Sequence, residues 1–242
     1  MNILVIIPAR YASTRFPGKP LINIGTKSML QRVYEQAKKT PSLSEVIVAT
    51  DDQRIVDHVL SFGGKVELTS AAHQSGTDRC AEVAQRHPQY DVIINIQGDE
   101  PFIQPEQITL LTACFNTPVV QIATLVKAIT NTIELNNPNI PKVALGHDQR
   151  AVYFSRSPIP YLRGIDQEKW MSVQAFYKHI GLYGYRRDTL IQLTQLQPTA
   201  LEQTESLEQL RWLDYGYVIY TAETSLETIA IDTPEDLEKA IA

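Results

Sequence analysis

Arg10, Arg15 and Lys19 fall close together in IIPARYASTRFPGKPL, immediately after the first apolar run of the chain. Cations at that spacing suit a polyanion, because guanidinium and ammonium groups converge well on phosphate oxygens. Pro17-Gly18 between them fits a type II turn, with Pro presetting the first central residue and Gly supplying the positive φ of the second. Such a turn would fold Arg15 and Lys19 back toward Arg10 and make a clasp for a triphosphate or its leaving diphosphate. The plainer alternative is a surface loop held by salt bridges. Residues 10–27 show no evident element, and structureless loops beyond about 12 to 15 residues in compact domains are usually functional or disordered. Phe16 and Leu21 give this one apolar anchors.

Carboxylates form the second constellation. NIQGDEP brings Asp99 and Glu100 to the end of a very apolar run, where they suit a hard cation such as Mg²⁺, which takes one or two protein carboxylates and completes its shell with water and phosphate. A simple strand-to-helix turn would also place Asp there. AIDTPEDL repeats the arrangement near residue 232. Thr233, Pro234 and Asp236 are accounted for as a helix start, which leaves Asp232 at a strand tip. If the two strands are neighbours, Asp99 and Asp232 would share one cation. A third segment, HQSGTDRCAEV, sets Ser75, Gly76 and Thr77 at a helix N-terminus with Arg79 one turn in. This is either an ordinary cap or a place where free amides meet an anion or a base carbonyl.

Several classes are disfavoured. No G-x-G-x-x-G occurs, and Gly18-Lys19 lacks the preceding glycine of a Walker loop, so neither a Rossmann dehydrogenase nor a P-loop ATPase is expected. Lys and Arg number 22 against 27 Asp and Glu, a net charge of −5, which argues against nucleic acid or an anionic membrane as partner. Cys80 and Cys114 have no metal-ligand spacing, and the first apolar run is too short for a signal-peptide core or a membrane span. A cytoplasmic protein with reduced cysteines is expected.

The elements that must position these residues alternate in character. Val- and Ile-rich runs (NILVIIPA, EVIVAT, KVELT, DVIINIQ, VQIATLVKAI) alternate with segments of helical period (SMLQRVYEQAKK, DQRIVDHVLSF, TDRCAEVAQRH, QITLLTACF), the pattern of βαβ units. Ser28 and Gln31 have capping-box spacing, with Met29, Leu30, Val33 and Ala37 on one face. The fold class expected is therefore α/β, a Rossmann-like, mostly parallel sheet flanked by helices, in one domain spanning residues 1–242. From about 130 to 200, NNPNIP and SRSPIPYLRG break the texture, which predicts an inserted antiparallel lobe able to supply a dimer surface. A helix over ALEQTESLEQLRWLDYGY, strands VIYTAE and LETIAID, and a last helix PEDLEKAIA complete the chain.

The blocks IPARYASTRFPGKPL, VATDD, HQSGTDR, NIQGDEP, YFSRSPIP, KHIGLYGYR, LEQLRWL and IDTPEDL together strongly resemble the 3-deoxy-manno-octulosonate (Kdo) cytidylyltransferases. The likeness runs in order from residue 3 to about 240. Phe16 stands where Leu is expected, and residues 162–173 match no block. The resemblance implies a nucleotide-diphospho-sugar transferase fold and transfer of CMP from CTP to Kdo with Mg²⁺ required. It implies metal ligation by Asp99 and Asp232 and phosphate binding by Arg10, Arg15 and Lys19, with Arg10 and Lys19 catalytic alongside the two acids. Ser75 and Arg79 would read cytosine. The sugar would be held by Gln97, Arg156, His179, Tyr183, Glu208 and Gln209, and the family usually forms homodimers. Taken singly, His179 and Tyr183 read as core residues and Glu208 and Gln209 as a solvated helix face. A non-catalytic nucleotide-binding scaffold, or a transferase for another base, remains open on these residues.

Overall fold

The computed structural model describes residues 1–12, 16–227, 231 and 236–237. Its strands are β1 Ile3–Ala9, β2 Asn23–Ile24, β3 Lys27–Ser28, β4 Glu45–Thr50, β5 Val66–Leu68, β6 Val92–Asn95, β7 Ile122–Ala128, β8 Lys142–Leu145, β9 Ala151–Ser155, β10 Tyr177–Arg186 and β11 Ile219–Glu223. The helices are α1 Met29–Lys38, α2 Gln53–Ser61, α3 Gly76–Arg86, α4 Pro105–Ala113, α5 Thr132–Asn136, α6 Trp170–Val173, α7 Arg187–Leu193, α8 Ala200–Glu205 and α9 Gln209–Asp214.

The main sheet runs in the order β11-β7-β10-β6-β1-β4-β5. β1 pairs in parallel with both β4 and β6, β4 with β5, and β7 with β11, while β10 lies antiparallel to β6 and β7. β1 alternates faces as a two-residue period requires: Ile3, Val5 and Ile7 join one core layer with α1 and α4 residues, and Leu4 and Ile6 join the other with α3 and α7. A strand buried on both faces reads as a continuous apolar run, as β1 and β6 do. The mixed, mostly parallel sheet flanked by helices is the fold class expected.

After β4 and β5 the chain crosses back to place β6 on the other flank of β1. The carboxyl ends of β1 and β6 therefore border the point where strand order reverses, the crevice in which open α/β sheets bind ligands.

Local signals explain the flanking helices. The Ser28 hydroxyl accepts from the Gln31 amide at 3.1 Å and caps α1, although the Gln31 side chain turns forward to Glu35 and leaves the reciprocal half of the box unmade. Ser75 and Asp78 complete a full capping box at α3. Pro105 stands at the first turn of α4, where its missing N–H costs nothing.

Two expectations change. β10 carries KHIGLYGYR into the centre of the main sheet, so the segment 130–200 does not stand apart from it. Its own antiparallel part is β8 with β9, joined to β10 at Tyr177 and Lys178, above a small cluster of Ile129, Leu135, Trp170 and Phe176. The long helix expected from residue 200 is instead α8 and α9, broken at Ser206, whose φ is 51°. The Glu205 and Ser206 carbonyls turn away from the helix axis to accept from the Arg156 guanidinium. Of LETIAID and PEDLEKAIA, residues 228–230, 232–235 and 238–242 lie outside the described residues.

Candidate active site

The first loop folds as its turn residues dictate. Gly18 has φ 72° and ψ 8°, and the Lys19 amide donates to the Phe16 carbonyl at 3.1 Å, which is a type II turn with Pro17 and Gly18 at its centre. The Gly18 amide also reaches back to the Tyr11 carbonyl at 2.9 Å. The Tyr11 ring lies under that turn, and the Arg54 guanidinium covers it 3.3 Å from the ring centroid. Lys19 is thereby carried over the end of β6, where its Nζ meets Asp99 Oδ2 at 2.7 Å. Arg10, at the end of β1, points its Nη1 toward the Gln74 carbonyl at 3.5 Å. Arg15 lies outside the described residues.

Between these loops the backbones touch. A Cβ on Gly98 would stand 3.1 Å from the Pro8 carbonyl oxygen, which is main chain and cannot rotate away. Gly76, the first residue of α3, abuts Pro8 and the Gln97 side chain. The ends of β1 and β6 and the N-terminus of α3 thus converge on one crevice.

Asp99 is open enough to act on a ligand, its side chain 26% exposed. Glu100 is not. It is buried, its Oε2 has no hydrogen-bond partner, and its Oε1 lies 3.6 Å from where a Gly181 Cβ would be. Burial, with the Asp99 charge beside it, pushes its carboxyl up to about 8. Among the described residues no group of three or more His, Cys, Asp or Glu is placed to hold a metal. The donor set on hand, one accessible carboxylate that already faces a cation beside a cationic loop, is chemically suited to a hard ion that keeps water and phosphate oxygens. Asp232 lies outside the described residues, but the amide of its neighbour Ile231 donates to the Asp99 carbonyl at 3.0 Å. The Ile231 side chain is buried with Ile24 and Met29.

A second group of polar side chains fills the layer behind Gln97. Gln97 Nε2 donates to Asn95 Oδ1 at 3.2 Å, and Asn95 stands opposite Tyr183 in the β6–β10 register. The Tyr183 ring packs against His179 and Trp212. His179 Nε2 meets the Thr124 hydroxyl at 3.0 Å, and burial depresses its pKa to about 3, so the ring is neutral near pH 7. Thr77, in the first turn of α3, donates to Glu208 Oε2 at 2.7 Å; burial pushes the Glu208 carboxyl upward. The Tyr183 and Tyr185 hydroxyls and Gln209 Nε2 are buried without partners. Buried polar atoms normally find partners, so three unmatched ones in this layer stand out.

Three residues expected to contact ligands have protein partners in this structure. Arg79 is 1% exposed, bonded to Thr69 and 3.4 Å from Asp51, so its guanidinium braces the ends of β4 and β5. The Ser75 hydroxyl is occupied in capping α3. Arg156 is no free cation either: it donates to the carbonyls of Glu205, Pro138 and Ser206. Asn95, Thr124 and Glu205 were not singled out in the sequence. Thr124 meets His179 through the pairing of β7 with β10, and Glu205 meets Ser155 and Arg156 about 50 residues away.

A family model described as cytidylyltransferase matches residues 4–240. A 3-deoxy-manno-octulosonate cytidylyltransferase of Cytophaga hutchinsonii is 58% identical over 98% of this chain and 95% of its own length. The chain belongs to the 3-deoxy-manno-octulosonate cytidylyltransferase family. Another member, from Parabacteroides distasonis, is 57% identical over 100% of this chain and 98% of its own. A solved CMP:2-keto-3-deoxy-manno-octonic acid synthetase complexed with CTP superimposes with a TM-score of 0.92 at 44% identity, covering 100% of this chain and 97% of that one. The 4-diphosphocytidyl-2C-methyl-D-erythritol synthase of Anaerococcus prevotii, at 12% identity and a TM-score of 0.65, shares the fold. Family membership makes the chain a nucleotidyltransferase, and the described residues include no helix long and apolar enough to cross a membrane.

Proposed function

We propose that the protein activates Kdo by the reaction of CTP and Kdo to CMP-Kdo and diphosphate, for lipopolysaccharide synthesis. The observation that carries this reading is the meeting of Lys19 with Asp99 at the switch point of the sheet, in a chain whose full-length relatives are named for that activity. The anomeric hydroxyl at C2 of the sugar attacks the α-phosphorus in line, a new P–O bond forms, the bond to the β-phosphate breaks, and the hydroxyl proton leaves to solvent. Arg10, Arg15 and Lys19 steady the β- and γ-phosphates and the departing diphosphate. Asp99 and Asp232 would hold Mg²⁺, which when bound neutralises phosphate charge and acidifies the attacking hydroxyl. The Ile231 amide on the Asp99 carbonyl supports their pairing.

The sugar lies against Gln97, His179, Tyr183, Glu208 and Gln209; of these, the Tyr183 hydroxyl and Gln209 Nε2 have no hydrogen-bond partner. Arg156 serves this site by fixing the break between α8 and α9 and so the place of Glu208. Cytosine is read chiefly by backbone groups near Gly76, since Ser75 and Arg79 are otherwise engaged. Purified protein with CTP, Mg²⁺ and Kdo is expected to release diphosphate. Turnover with sialic acid but none with Kdo would reassign the sugar.

The cytoplasm, where CTP is made, is the compartment proposed, and two copies are proposed to pair through the 130–200 segment. Val152, Tyr161 and Val173 there are 63, 75 and 60% exposed, apolar area that a partner would cover. Sedimentation at micromolar protein is expected to give a dimer that Tyr161→Glu weakens. A monomer at every concentration would remove this part of the proposal.

A further inference from the structure

Arg54 is a cation in the first turn of α2, where it opposes the partial positive charge of the helix end. The Asp52 cap offsets this, accepting from the Arg54 amide at 3.0 Å and from its guanidinium through both oxygens, at 2.9 and 2.6 Å. Paired bonds of that kind hold a guanidinium in one orientation. The plate so fixed lies 3.3 Å from the centroid of the Tyr11 ring, in the first loop. Capping α2 needs only the Asp52 carboxylate, so Arg54 is accounted for by what it covers.

Tyr11 also holds the loop from within. The Gly18 amide donates to its carbonyl at 2.9 Å, and a Cβ on Gly18 would stand 3.3 Å from the ring at its hydroxyl end. Arg10 precedes one end of that hydrogen bond and Lys19 follows the other, so the closure fixes where both cations leave the loop. The turn Lys19–Leu21 packs on α2 as well. We infer that Arg54 is a positioning residue for the triphosphate: its guanidinium, held by Asp52, clamps the Tyr11 ring and keeps the ends of the first loop closed, with Arg10 and Lys19 set for phosphate before nucleotide arrives. The inference rests on the proposed reading of the site and adds to it the residue that orders the clasp. Arg54 acts through the ring and not on phosphate. Without the clamp the loop has to be ordered as CTP binds, and that cost falls on CTP affinity. At saturating CTP the loop is ordered in either case, so kcat and the KM for Kdo do not change.

The test uses full-length wild type, Arg54→Met, Tyr11→Leu, Tyr11→Phe and the double variant Arg54→Met with Tyr11→Leu. CTP binding with Mg²⁺ is followed by calorimetry, and both KM values by diphosphate release. The Arg54 side chain is 60% exposed, so Arg54→Met leaves the fold intact. It is expected to weaken CTP binding roughly five-fold, the scale of a cation over an aromatic face, while kcat and the KM for Kdo stay within about two-fold of wild type. Tyr11→Leu is expected to weaken CTP binding at least as much, and Tyr11→Phe, which keeps the ring, to retain most of the affinity. The double variant is expected to bind CTP no more weakly than Tyr11→Leu, because the two residues act as one unit. Unchanged CTP binding in Arg54→Met, or losses that multiply in the double variant, would overturn the inference and leave the site reading standing. If the wild type binds no CTP, both fall.

Discussion

Tyr183 carries its argument in a single atom. Its hydroxyl is buried without a partner, and an unmatched buried donor costs about 1–3 kcal/mol. Removing it in Tyr183→Phe should leave the fold as stable or more so, by about 1 kcal/mol, while KM for Kdo rises roughly ten-fold as a substrate hydroxyl loses its partner. Denaturation and steady-state kinetics together check this. A stable variant with unchanged KM would return Tyr183 to the core. His179 makes the pH prediction at this scale. Its folded pKa, about 3, lies below the reference 6.5, so the unfolded chain takes up the proton first. The stability this group lends is present above pH 6.5 and is lost as pH falls toward 3. Between about pH 7 and 4 the wild type should lose roughly 3 kcal/mol more than His179→Gln, a side chain that can still bond Thr124. Parallel pH–stability curves for the two would contradict it.

Among elements, β10 is the one that ties the parts together. At its start Lys178, 5% exposed, lies between Glu134 of α5 at 2.8 Å and Glu227 at 2.6 Å. Lys127 of β7 reaches the same Glu227 at 3.2 Å and the Ser225 carbonyl at 2.6 Å. The segment that follows β11 is thus tied to β7 and β10, and through Lys178 to α5. Breaking such a pair strands carboxylates around an apolar stem, so Lys178→Met should cost roughly 3 kcal/mol. Urea denaturation would show it, and a loss below about 0.5 kcal/mol would mark the network as a solvated one of little weight. This strand was also the hardest element to read. β1, β4 and β6 announce themselves as Val- and Ile-rich runs ending at chemistry-bearing loops, and α1 and α3 by their caps. KHIGLYGYR has two glycines and a shift of register between Ile180 and Tyr183, so neither alternation nor β-branched content marks it as a central strand.

For the whole molecule, the crossover that sets β6 beside β1 brings the ends of those two strands together; the alternation of strands and helices was legible in the sequence, the strand order was not. Lys19 and Asp99 could be named because each lies in the loop that follows an apolar strand, Lys19 after β1 and Asp99 after β6. Arg79 and Arg156 could not be placed, because a cation's use depends on what faces it. Asp51 and Thr69 close over the first, and the Glu205, Ser206 and Pro138 carbonyls close over the second, all from distant parts of the chain. The account as a whole makes positioning and charge neutralisation at one crevice the source of catalysis. Its most direct test is diphosphate release from CTP and Kdo by wild type and by Asp99→Asn, whose fold is verified by circular dichroism. Turnover by the wild type with a loss of roughly 10³-fold or more in the variant is the result expected, and near-normal turnover by Asp99→Asn would contradict it.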